Sequence, residues 1–134
     1  MAGIVVDASV AVKWFLAEER SDKARELRGA GVDLIAPSSI IFEIYHAMWD
    51  AAQKGRVPGT LPFEAAPLIP TPFNRLVPME HLFHVAAMLA SELDHPIYDC
   101  AYLALAQSED IEIITADRDM ARAGKRAGIK TKLL

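Results

Sequence analysis

The chain has 134 residues, 52% of them apolar and 24% charged, with a formal net charge of −4. One domain of this length buries a full core without staples; the composition excludes a disordered chain and a disulfide framework, and the net negative charge makes a poor passive nucleic-acid binder. The one cysteine, Cys100, suits a reducing cytoplasm, and no apolar run approaches the ~20 residues of a membrane span.

The N-terminus lacks a basic region and Asp7 interrupts the first apolar stretch, so no secretory leader is expected. Gly3–Val6 reads as a short buried strand, after which Asp7 or Ser9 caps a helix from about Ala8 to Ala17. Val10–Ala17 is apolar almost all round, with Trp14 and Phe15 pointing apart. A helix on one side of a sheet needs a single apolar stripe. The excess calls for a second covering surface: a homodimer interface, a partner's helix, or a loop folded over it. Glu19–Ala30 reads as a second helix ended by Gly29 and Gly31, and Val32–Ala36 as a second strand. Pro37-Ser38-Ser39 opens a long helix to about Lys54, with Gly55 as its stop.

Residues 56–72 carry five of the eight prolines, which predicts a loop with one short helix at Phe63–Leu68. Asn74–Val77 reads as a strand, Met79–Leu93 and Asp99–Ser108 as helices, Ile111–Thr115 as a strand, Arg118–Ala127 as a helix and Ile129–Leu133 as a last strand. This alternation predicts an α/β fold in one domain, residues 1–134. The expected architecture is a three-layer α/β/α sandwich with a central, mostly parallel sheet of four to five strands. Ligands of such sheets sit beyond the carboxyl ends of the strands, where strand order reverses.

Four carboxylates are set into apolar surroundings: Asp7 after Ile4-Val5-Val6, Glu43 among Ile40-Ile41-Phe42 and Ile44-Tyr45, Asp99 before Cys100–Ala106, and Asp117 after Ile113-Ile114-Thr115. Asp7 and Asp117 fall at strand ends and converge if their strands are neighbours. Converging carboxylates repel unless a cation neutralises them, which points to Mg²⁺ or Mn²⁺. Singly, each has another account. Asp7 and Asp117 can cap helices, Asp99 can complement a helix dipole, and Glu43 can share a solvent face with Ala47, Asp50 and Lys54. Ser9 and Thr115 stand two residues from Asp7 and Asp117, where a hydroxyl can support a carboxylate or cap locally.

Residues 118–134 hold six of the 14 Lys/Arg against Asp119 alone. This tail reads as a solvated helix and edge strand, or as a local grip on a polyanion beside the acids. His81 and His84 lack a third zinc ligand at a recognisable offset, and His46 and His95 are isolated in the sequence. No glycine-rich phosphate loop or serine-nucleophile motif occurs.

Val5-Val6-Asp7-Ala8-Ser9-Val10-Ala11-Val12-Lys13-Trp14-Phe15 closely resembles the opening of PIN-domain ribonucleases of the VapC toxin type. Pro37–Ile44 is similar to the helix carrying that family's glutamate, Tyr98–Ala106 to its third acidic motif, and Thr115–Met120 to its fourth. The motifs follow family order over nearly the whole chain; the proline-rich 56–72 departs from it, where the family more often has a regular helix. The resemblance implies a parallel sheet with the first strand central. It assigns Asp7, Glu43, Asp99 and Asp117 to Mg²⁺ binding, with Mn²⁺ able to substitute, for hydrolysis of RNA by metal-activated water. It also implies an RNA substrate, a cognate antitoxin, a homodimer, and contacts to RNA phosphates from Arg118 and Arg122. Three other readings compete: a dehalogenase-like enzyme, a receiver-like signalling module, and a PIN scaffold that acts only as a binding partner, which intact acids disfavour. A haloacid-dehalogenase-like phosphohydrolase needs a second Asp where Ser9 stands. A receiver-like module needs an acid after the middle strand, where Val77-Pro78 offers none.

Overall fold

A computed structural model describes residues 3–134. Its sheet is built from β1 (Gly3–Val6), β2 (Asp33–Pro37), β3 (Arg75–Val77), β4 (Ile113–Thr115) and β5 (Thr131–Leu133). All pairings are parallel, in the order β3-β2-β1-β4-β5. The first strand is therefore central, and the sheet is wholly parallel. Seven α-helices connect the strands: α1 (Ala8–Ala11), α2 (Ser21–Arg28), α3 (Ile40–Gln53), α4 (Leu61–Ala65), α5 (Met79–Leu93), α6 (Ile97–Glu109) and α7 (Arg118–Arg126).

The central strands are apolar on both faces because helices cover both faces: Val5, Val6 and Ile113 are fully buried. The same reason makes α6 apolar nearly all round. Cys100 to Ala106 are consecutively buried, and the helix packs between α5 and strands β1, β2 and β4. Its alanines let it approach closely, so a helix with little amphipathic character is a core helix here.

The final helix ends by a defined device. Gly128 adopts φ 74°, its amide bonds the Lys125 carbonyl at 3.0 Å, and the Ile129 amide bonds Gly124 O at 2.9 Å. This left-handed cap uses Ile129 to close the helix, so β5 begins at Thr131 rather than at Ile129. Gly124 faces β5 directly; a Cβ there would collide with the Thr131 hydroxyl.

Two expectations need correction. The helix from Ala8 stops at Ala11 and passes into a 3₁₀ turn over Val12–Trp14. The apolar excess that followed is covered from within the chain. Trp14 donates to Ala24 O at 2.8 Å, lies 5.7 Å from the Phe73 ring, and carries the Arg28 guanidinium over its face. A folded-back segment and α2 pack against Trp14. In the proline-rich stretch the short helix starts two residues earlier than expected, with Pro62 inside its first turn and a 3₁₀ turn over Ala66–Leu68. Proline is tolerated there because first-turn amides have no intrahelical acceptor.

Candidate active site

The ends of β1 and β4 meet as neighbours, with Val6 paired to Ile114. Asp7 follows β1 directly and is only 6% exposed. Its main chain nucleates α1, accepting from the Val10 and Ala11 amides, but its carboxylate makes none of the expected side-chain capping bonds. Instead Oδ2 accepts from Ser9 Oγ at 2.6 Å and from Thr115 Oγ1 at 2.7 Å. The two hydroxyls lie 3.2 Å apart and also order the loop after β4. Ser9 Oγ accepts from the Ala116 amide, and Thr115 Oγ1 from the Asp117 amide. Both hydroxyls thus support the carboxylate and cap the loop at once.

Burial raises the Asp7 pKa, the Ser9 and Thr115 bonds oppose that, and the Asp99 charge adds to it. Glu43 projects from the first turn of α3 and is half-buried, so it does not share the solvent face its sequence allowed. Burial pushes its pKa to about 7; a hydrogen bond from the Tyr102 hydroxyl opposes the shift, and the charges of Asp7 and Asp99 add to it. Asp99 lies in the first turn of α6, which starts two residues earlier than expected. Its pKa is raised by burial, against the His95 bond, with the Asp117 and Asp119 charges adding to the rise.

The structure thus gathers Asp7, Glu43 and Asp99 into one electrostatic neighbourhood and leaves Asp117 at its rim. Asp117 is exposed, caps α7 by accepting from the Asp119 amide at 2.9 Å, and touches the cluster through its charge on Asp99. Two participants escaped the sequence. His95, taken as isolated, has Nε2 2.9 Å from Asp99 Oδ2. Its i,i+4 spacing was a usable signal, hidden by the helix start at Pro96-Ile97. Tyr102 lies within the apolar run of α6 and is buried, and its hydroxyl reaches Glu43 across 59 positions.

Each acid is turned toward a local partner, and among the described residues no three His, Cys, Asp or Glu side chains form a ready-made metal cage. Mg²⁺ does not need one, because it retains several waters and takes one or two carboxylates directly. The donors are all hard oxygens, and a divalent cation would offset the burial and the added repulsion that raise three pKa values. One turn before Glu43, on the same helix face, the buried Ser39 hydroxyl has no hydrogen-bond partner among the described residues. An orphan hydroxyl beside the acids fits a site completed by a hydrated ion.

Next to the acids, Lys13, Arg20 and Arg118 line a polar groove together with Glu19 and Ala116. Arg118 belongs to that groove and Arg122 lies outside it, paired with Asp119; Lys13 donates to the Glu19 carbonyl and Arg20 to the Leu134 carbonyl. Lys13 was not singled out from the sequence; it lies one turn beyond Ser9.

A parallel α/β sandwich with one buried and two half-buried carboxylates gathered beyond the carboxyl end of its central strand defines the class, an α/β domain with an acidic site. The chain belongs to the PIN domain family, whose profile matches residues 4–126. No curated protein sequence is significantly similar to it. Among solved structures it is similar to PAE2754 from Pyrobaculum aerophilum, at 22% identity and TM-score 0.70, covering 97% of this chain and 83% of that one. It is also similar to VapC20 of Mycobacterium tuberculosis, described as a sarcin-ricin loop cleaving toxin, at 16% identity and TM-score 0.74, covering 95% and 96%. At these identities the likeness is one of fold. Within the described residues no helix is long and apolar enough to cross a membrane.

Proposed function

We propose that this chain is a Mg²⁺-dependent endoribonuclease, the toxin of a toxin–antitoxin pair acting in the cytoplasm. The observation that carries the reading is the cluster of Asp7, Glu43 and Asp99. Three carboxylates are held against their own repulsion at the edge where a parallel sheet binds ligands. Membership of the PIN domain family and the fold shared with a toxin that cleaves RNA support the choice of substrate.

In this reading Asp7, fixed by two hydroxyls, holds the ion with Glu43 and Asp99, and Mn²⁺ can replace Mg²⁺. A bound ion would lower the pKa of a water and offset the charge on the phosphoryl oxygens during in-line attack. Asp99, half-buried and anchored by His95, or Asp117 at the rim orients the attacking water. Lys13, Arg20 and Arg118 hold the phosphates flanking the scissile bond, with Arg122 farther out. Surfaces for an antitoxin and for a second copy are expected among the exposed apolar side chains. Phe42 and Trp49 mark one face on α3, and Phe83 and Tyr98 another on α5 and α6.

The dehalogenase-type alternative draws no support from the site. Ser9, where a dehalogenase-type enzyme needs its second Asp, is spent on supporting Asp7. Incubating the purified chain with total RNA and Mn²⁺ and mapping new 5′ ends tests the proposal. Discrete cuts that vanish with EDTA are expected; RNA left intact at saturating Mn²⁺ overturns it.

A further inference from the structure

Helix α6 carries Asp99 and, one turn later on the same face, Tyr102. The Tyr102 side chain is 1% exposed, and its hydroxyl donates a short hydrogen bond to Glu43 Oε2. A buried tyrosine hydroxyl needs a partner, but a main-chain carbonyl would serve for packing alone. Here the partner is a carboxylate already repelled by Asp7 and Asp99, on the other helix that brings an acid to the site.

No other side chain among the described residues bonds Glu43. Ser39, its neighbour one turn back, leaves its hydroxyl unpaired. Glutamate turns about three side-chain bonds, and repulsion from Asp7 and Asp99 favours rotamers that swing its carboxylate toward solvent. Held at Oε2, the carboxylate has no side-chain hydrogen bond at its other oxygen among the described residues, and the charges of Asp7 and Asp99 reach it. From this geometry we infer that Tyr102 is a positioning residue of the metal site, fixing Glu43 by one oxygen so that the other serves the ion shared with Asp7 and Asp99. The inference rests on the metal-dependent reading proposed above, and it adds a hydroxyl to the four acids that the sequence motifs assign.

Tyr102→Phe keeps the ring and removes only the hydroxyl. Calorimetric titration of Mn²⁺ into the metal-free wild type, Tyr102→Phe, Glu43→Gln and the double variant tests the assignment without any activity readout. Loss of a hydrogen bond supporting a metal ligand should weaken Mn²⁺ binding by about 10-fold or more. The double variant should bind no more weakly than Glu43→Gln alone, because both changes act through one carboxylate. Wild-type affinity in Tyr102→Phe, or losses that add in the double variant, overturns the role while leaving the nuclease reading in place. A wild type that binds no Mn²⁺ overturns both.

A second measurement needs no variant. In wild-type protein labelled with 3-fluorotyrosine, Tyr102 is the buried one of three tyrosines, Tyr45 and Tyr98 being 37% and 65% exposed. Its fluorine resonance should shift along the Mg²⁺ binding curve. A resonance unmoved at saturation overturns the inference.

Discussion

The two ends of the sheet treat carboxylates in opposite ways. Toward the amino ends of the strands, Glu109 at the close of α6 meets Arg75 of β3 in a two-pronged pair, both bonds at 2.6 Å. The guanidinium lowers the Glu109 pKa. At the carboxyl ends, Asp7, Glu43 and Asp99 face one another in partial burial, and their pKa values rise. The same helix, α6, contributes an acid to each end. One end is charge-matched within the chain by an arginine; at the other, His95 bonds Asp99 while Asp7 and Glu43 are met by hydroxyls. Stability alone does not produce the second arrangement, since apolar replacements there would remove a desolvation cost.

That contrast can be broken most forcefully at Asp7. Asp7→Asn keeps the shape and the hydroxyl contacts but removes the buried charge, so RNA cleavage should fall by on the order of 10³-fold or more. The thermal midpoint in the absence of metal should hold or rise. An active, correctly folded Asp7→Asn protein removes Asp7 from the site.

Glu43 sharpens the contrast through pH. Its folded pKa of about 7 lies above the ordinary 4.5, so the fold binds this proton more tightly than the unfolded chain does. The resulting stabilisation is complete below about pH 4.5 and is lost as pH rises through about 7. Metal-free protein should therefore melt at a lower temperature at about pH 8 than at about pH 5. Glu43→Gln should flatten that slope, as melting curves across this range would show. An identical slope in the variant contradicts the assigned environment of Glu43.

A smaller effect is expected at the basic groove. Arg118→Ala should raise KM for RNA a few-fold and reduce the salt dependence of binding by about one unit of slope. Arg122→Ala, which removes a side chain already paired with Asp119, should do less. Equal effects would argue against the groove as the RNA track. The smallest effect belongs to the opposite end. Arg75→Ala should cost about 1 kcal/mol or less, since exposed pairs contribute little, and should leave cleavage unchanged.

Much of this was legible in the chain because it is local. The alternation of short apolar runs and helices fixed the fold class, and Asp7 and Asp117 could be placed at strand ends from their flanking residues. What escaped depends on contacts between distant segments. Trp14 is covered by Phe73, and no periodicity near residue 14 encodes that. The side to which Glu43 turns depends on Tyr102, 59 positions away, inside a helix whose uniform apolarity gives no facing direction. Asp117 was grouped with the other acids from its motif; in the fold it also does the local capping work that its position allowed.

The central claim is that the acids at the carboxyl edge exist to hold a cation. The most direct measurement is the thermal midpoint at about pH 8 with and without saturating Mg²⁺, for the wild type and for Asp7→Asn. The account predicts a clear Mg²⁺-dependent rise in the wild type that is lost in Asp7→Asn, since a ligand that binds only the folded state stabilises it. A wild type indifferent to Mg²⁺, or a variant that responds equally, contradicts it.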